Sequence, residues 1–219
     1  KEEKITAAIP IRSFAPGNIK DKYLLMCTRN GTIKKIALDK FASPRKGGII
    51  AIKLREGDVL AEVKAIEENL EVIIATRKGM AIRFKESEIR AVGRSSIGVS
   101  GISLDKGDEV IGMEVFSPDD VFLSVSENGY GKRTEVRKYR LQKRAGHGVI
   151  NMQTAERNGN IVGIKKAGAG EEVMIITQNG IMIRFKVDKV SIVGRNTLGV
   201  RLVRLDEGDK VAAVASVAY

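Results

Sequence analysis

The sequence has no tryptophan, one cysteine and one histidine, and aromatic residues make up 5% of its 219 positions. Each scarcity excludes something. A single cysteine, Cys27, forms neither an internal disulfide nor a Cys-rich zinc site, and it fits a reducing compartment. A single histidine, His147, lies between Gly146 and Gly148 and reads as a loop residue, with no second imidazole for a metal or a catalytic pair. So few aromatics argue against a protein that stacks unpaired bases on aromatic platforms. The apolar runs are strand-sized, too short for a membrane-spanning helix. No apolar stretch follows the opening Lys-Glu-Glu-Lys, so no signal peptide is expected. No segment sustains a 3.6-residue apolar period.

Charge is abundant. Hydrophobic residues make up 43% and charged residues 30%, the balance of a soluble globular chain. Thirty-eight Lys and Arg stand against 27 Asp and Glu, a net +11, which favours a polyanionic partner, nucleic acid or an acidic surface.

The chain is also a repeat. YLLMCTRNGTIKKI from Tyr23, EVIIATRKGMAIRF from Glu71, VFLSVSENGYGKRT from Val121 and EVMIITQNGIMIRF from Glu172 align. Three glycine registers recur near 50 residues: Gly31, Gly79, Gly129 and Gly180; Gly48, Gly98, Gly148 and Gly199; Gly57, Gly107, Gly159 and Gly208. Each repeat opens with a β-branched apolar run ending in a hairpin turn, usually Asn-Gly. A returning strand follows, then a polar loop to the second glycine. A third strand comes next (49–54, 99–104, 149–154, 200–205), then an Asp-bearing turn with Asp58, Asp108 or Asp209, and a last strand. Four strands at this period predict an all-β propeller of four-stranded blades, with repeats at about 23–66, 71–116, 121–167 and 172–217. Residues 1–15 match the last strand of a preceding blade.

Four residues after each turn glycine stands a cation: Lys35, Arg83, Arg133 and Arg184. Lys34 and Lys132 flank it in two repeats, Lys85 and Lys186 in the others. The loop before the second glycine is basic each time, with Arg45 and Lys46, Arg94, Lys143 and Arg144, and Arg195. Around an axis, equivalent positions fall on one ring. The expectation is a sequence-blind phosphate track made of these fourteen residues. Reversing charge at Arg83, Arg133 and Arg184 together should then weaken binding and leave the fold intact. No catalytic residue, metal site or cofactor is expected. Cys27 sits in an apolar strand and reads as buried and inert, and the Gly-rich KAGAGEE segment lacks the Lys-Ser/Thr of a P-loop.

These features resemble the C-terminal domain of DNA gyrase A. The resemblance rests on the Asn-Gly strand repeat, IRFK, VGR-x-x-x-G at Val92–Gly98 and Val193–Gly199, and the EGD turn. Gln142–Gly148 is similar to a degenerate copy of that family's Q-R-R-G-G-K-G box, departing from it at Ala145 and His147. The resemblance implies a β-pinwheel whose blades exchange strands and whose basic outer edge wraps double-stranded DNA. It also implies partners, the rest of gyrase A and its companion gyrase B, with the cleaving tyrosine and the ATPase elsewhere. It further implies a bacterial cytoplasmic, nucleoid-associated setting and no membrane role. The rivals are the equivalent domain of topoisomerase IV, a propeller scaffold for proteins, and a propeller enzyme with acids or histidines in its channel.

Overall fold

The computed structural model describes residues 5–43 and 45–217. Repeat 1 forms β1 (Tyr23–Thr28), β2 (Thr32–Ala37) and β3 (Leu60–Ile66). Repeat 2 forms β4 (Glu71–Thr76), β5 (Met80–Lys85), β6 (Val99–Ser100) and β7 (Val110–Phe116). Repeat 3 forms β8 (Val121–Ser126), β9 (Tyr130–Glu135), β10 (Val149–Ile150) and β11 (Ile161–Lys166). Repeat 4 forms β12 (Glu172–Thr177), β13 (Met182–Lys186), β14 (Val200–Arg201) and β15 (Val211–Val217). One helical turn, α1 (Pro16–Ile19), precedes them. The segment read as the last strand of a preceding blade forms no ladder over residues 5–15, and its first four residues lie outside the described ones.

The sheets are β3-β1-β2-β6, β10-β5-β4-β7, β11-β8-β9-β14 and β13-β12-β15. The third strand of a repeat is therefore handed to the blade before it. β6 pairs with β2, β10 with β5 and β14 with β9. Each exchanged strand is two residues long, shorter than the six-residue strands the sequence suggested, because the chain leaves the ladder at once to cross between blades. Among the described residues, β13 has no outer partner, so the fourth blade has three strands.

The inner strands β3, β7, β11 and β15 adjoin in that order. They line a cavity of about 550 Å³ with Leu60, Ile111, Ile161 and Ala212 in its wall. On the same inner strands Lys64 pairs with Glu114 at 2.7 Å, and Lys165 lies 3.6 Å from Glu114. The first strand of each repeat lies between neighbours and has one face apolar and buried, carrying Leu25 and Cys27, Val72 and Ile74, Leu123 and Val125, and Val173 and Ile175. Burial also raises the Cys27 thiol pKa, consistent with an inert residue.

The recurrent aspartates have a defined task. Asp58 accepts from the backbone N–H of Asn30 at 3.0 Å and of Val59 at 2.9 Å. Asp108 and Asp209 do the same for Lys78 and Glu109, and for Asn179 and Lys210. Each carboxylate ties the last turn of its repeat to the hairpin turn of the same repeat.

Candidate nucleic-acid interface

The cation that follows each turn glycine by four residues is not a surface residue in the first three blades. Lys35, Arg83 and Arg133 are each less than a tenth exposed. Lys35 pairs with Glu86 of the next repeat. Arg83 pairs with Glu71 at 2.6 Å and donates to the carbonyls of Val136 (3.2 Å) and Tyr139 (2.8 Å). Arg133 donates to Val190 O at 2.8 Å and to Asp188 at 3.2 Å. In all three the partner includes the 3-10 turn that follows the returning strand of the next repeat. The recurrence is a staple between blades, and these residues leave the expected DNA track. Arg184 is exposed and paired with Glu172.

Lys34 and Lys132 are corrected likewise, being wholly buried. Lys34 Nζ donates to the carbonyls of Ala51 (2.9 Å), Arg94 (2.5 Å) and Ser96 (2.8 Å). Lys132 Nζ donates to Gly194 O at 2.7 Å and to Arg195 O. Burial lowers the pKa of both. Removing one member of a buried ion pair such as Arg83–Glu71 costs about 3–5 kcal/mol. Reversing charge at Arg83 and Arg133 would thus break blade joints, contrary to the expectation that the fold survives.

The remaining predicted residues reach the surface. Arg45, Lys46, Lys85, Lys143 and Lys186 are exposed, and Arg94, Arg144 and Arg195 are half-buried. Topology sets where they stand. The loops 86–98, 136–148 and 187–199 leave the second strand from the rim and end on the outermost strand of the preceding blade. They run along the perimeter. Isolated parallel bridges, Lys35 with Ala91, Arg83 with Leu141 and Arg133 with Ile192, hold them against that blade. Arg144 Nη1 donates to Ser100 O at 2.9 Å, and Arg195 Nη1 to Ile150 O at 2.7 Å. Each arginine bridges successive outermost strands.

Per-position recurrence missed a broader signal. The outer segments 39–48, 85–98, 135–148 and 186–199 hold 14 of the 38 basic residues and five of the 27 acidic ones, leaving 24 against 22 elsewhere. Counting charge by segment would have found it. Arg90, Arg137, Lys138, Arg140 and Lys189 are exposed there; Arg90 matches Arg140 in register and Lys138 matches Lys189, but none of these cations recurs in all four repeats. His147 is exposed, with Nδ1 3.5 Å from Asp105. Among the described residues no group of three His, Cys, Asp or Glu side chains is close enough to hold a metal, and no helix is long and apolar enough to cross a membrane.

Comparison with known proteins agrees with this architecture. The family model described as the DNA gyrase C-terminal domain, beta-propeller, matches residues 22–67, 70–117, 120–167 and 171–218. The DNA gyrase A of Escherichia coli (strain K12) is 41% identical over 218 residues, covering 100% of this chain and 24% of that protein. The gyrase A of Haloquadratum walsbyi is 41% identical over 214 residues, covering 97% and 25%. The chain thus spans about a quarter of the length of these relatives. A solved gyrase A C-terminal domain superposes with a TM-score of 0.82 at 28% identity, over 90% of this chain and 66% of that one. The C-terminal domain of DNA topoisomerase IV gives 0.88 at 26% identity, over 97% and 65%. Repeat, strand exchange and sequence likeness agree, and the chain belongs to the DNA gyrase C-terminal domain family of β-propellers.

Proposed function

We propose that this chain binds double-stranded DNA along its outer edge, without sequence preference, and curves the duplex around the blades. The observation that carries the reading is the segregation of charge: the perimeter segments hold 14 cations against five acids, while the rest of the chain is nearly balanced. Such a surface attracts phosphates and releases their counterions. Two-residue rim strands offer no recognition helix for the major groove, so base readout is not expected. Bending 20–30 bp by 40–90° costs of order 1–6 kcal/mol, which spread phosphate contacts offset, as in other proteins that bind by backbone and deformability.

As part of a gyrase A polypeptide acting with gyrase B in the bacterial cytoplasm, the domain would present a curved duplex for ATP-driven strand passage, in support of negative supercoiling. The catalytic centre would lie outside this chain, and the domain itself would need no cofactor. The equivalent role in topoisomerase IV is the second reading, favoured by the superposition on that enzyme's domain.

The test is a titration of duplexes of unrelated sequence across salt, with a parallel assay on relaxed plasmid plus topoisomerase I. Equal affinities are expected, falling by roughly 10³–10⁵ between 50 and 200 mM salt for about 6–10 phosphate contacts. A shift in linking number is expected with the plasmid. Salt-insensitive binding, or none, would overturn the reading.

A further inference from the structure

The third blade breaks its own repeat at one place. Tyr130 opens β9, where the other repeats have Thr32, Met80 and Ile181. Opposite it on the exchanged strand is Arg201, where the others have Ile50, Ser100 and Ile150. Arg157, two residues before Gly159, stands where the others have Arg55, Asp105 and Asp206. No other repeat combines the three residue types, so the shared blade architecture does not depend on the combination.

The three side chains converge. Arg157 Nε donates to Tyr130 Oη at 3.0 Å, and Arg201 donates to the same oxygen through Nη2 at 2.9 Å and Nε at 3.3 Å. Both guanidinium carbons also stand close to the Tyr130 ring, at 5.1 and 5.5 Å from its centroid. Two positive groups are thus gathered on one neutral oxygen. Among the described residues neither arginine is within ion-pair distance of a carboxylate, and the Tyr130 hydroxyl proton has no acceptor. Both arginines are exposed while Tyr130 is buried beneath them. The scaffold is fixed: Asn128 Nδ2 donates to the carbonyls of Glu156 (2.9 Å) and Arg157 (3.4 Å), and the buried Asn158 ties the same turn to Gln153 O and Leu198 O. The guanidinium pair lowers the pKa of the Tyr130 phenol, so negative charge on oxygen is favoured at this spot.

From this geometry we infer that Tyr130, Arg157 and Arg201 form a clamp for one phosphate of the bound duplex, with guanidinium N–H groups from two directions and the phenol O–H as donors. Two guanidinium forks with free outward edges suit a phosphate's oxygens better than point-charge ammoniums do. Arg201 lies on the outermost strand of its blade, at the repeat position of Ser100 and Ile150, whose carbonyls the perimeter arginines Arg144 and Arg195 hold. Arg201 therefore borders the proposed duplex path, with Arg157 reaching toward it from the turn before Gly159, and the inference rests on that reading.

The test compares wild type with Arg157→Gln/Arg201→Gln, with Tyr130→Phe, and with Arg29→Gln/Arg77→Gln. The last pair removes equal charge from arginines that pair with Glu109 beside the axial cavity. Fluorescence anisotropy with a duplex of about 40 bp is read across salt, since one lost phosphate contact changes the log–log salt slope by about 0.9. The clamp double variant should bind about tenfold or more weakly, with a slope shallower by about one. Tyr130→Phe should lose a few-fold, and the control pair should stay within about twofold. Should the double variant unfold, judged by its thermal melt, Arg157→Gln alone carries the comparison, because Arg157 lies on an exposed turn. A clamp variant that matches the control pair overturns the clamp while leaving DNA binding intact. Failure of wild type to bind any duplex overturns the parent reading. In that case, calorimetric binding of inorganic phosphate that the double variant loses would assign the site to free phosphate and overturn the duplex as its source.

Discussion

Lys34 and Lys132 occupy the same place in their repeats and meet burial differently. Lys34 has three backbone carbonyls around Nζ, one for each proton of an ammonium. Lys132 has two, the number a neutral amine satisfies. Its pKa is pushed down to about 7, first by burial and then by the nearby Arg195 charge. Between there and the ordinary lysine value of 10.5 the unfolded chain binds a proton that the folded chain does not. Stability must therefore rise with pH across that window, and below it the full cost of burying the charge is present. Urea denaturation of wild type and Lys132→Met at about pH 6.5 and pH 9 isolates this group. Wild type should gain stability relative to the variant at the higher pH. A constant difference between the two proteins would show that Lys132 keeps its proton throughout. The fourfold cation was legible in the sequence, but its burial in three of the four repeats was not. Arg83 alternates with Ile82 and Phe84, so it reads as solvent-facing until the next repeat's turn is known to cover it.

At the scale of elements, the exchanged strand explains why glycine recurs at Gly98, Gly148 and Gly199. A Cβ at Gly148 would stand 2.3 Å from Ala81 O, and at Gly98 2.5 Å from Ile33 O, where the crossing chain meets the preceding blade. Gly48 is the internal control: it shares the positive φ, at 76° against 80°, but a Cβ there meets nothing within 4 Å. Alanine at either site bears the left-handed backbone cost of about 1–2 kcal/mol. Only Gly148→Ala adds a backbone overlap. Chemical denaturation should find it the more destabilising of the two by about 1 kcal/mol or more, the scale of strain at an overpacked site. Equal losses would mean that the joint yields without resistance. The spacing revealed strands and turns but assigned 99–104, 149–154 and 200–205 to their own repeats. A period fixes which residues are equivalent, not which blade they pair with, since pairing within a repeat and pairing with the neighbour give the same spacing. The strand exchange came from family likeness, which carries the pairing that the period leaves open.

For the whole molecule, the question is whether DNA responds to net charge or to where the charge lies. Lys46, Lys85, Lys143 and Lys186 are exposed on the perimeter segments of four successive repeats. Arg29, Arg77, Lys78 and Lys106 are exposed too, but sit on hairpin and Asp-bearing turns, off the perimeter segments. Replacing either set with glutamine takes the chain from +11 to +7. Substitutions at such exposed sites usually change stability by no more than about 0.5 kcal/mol each, so both variants should fold. If phosphates follow the perimeter, the first variant loses affinity equally for unrelated duplexes, and its log–log salt slope becomes shallower by about three to four. The second should then keep nearly the wild-type slope, because diffuse charge acts within a Debye length of about 10 Å at 0.1 M salt and is largely screened beyond it. Equal losses in the two variants would mean that net charge alone draws the duplex, and the segregation of cations to the rim would then carry no functional weight.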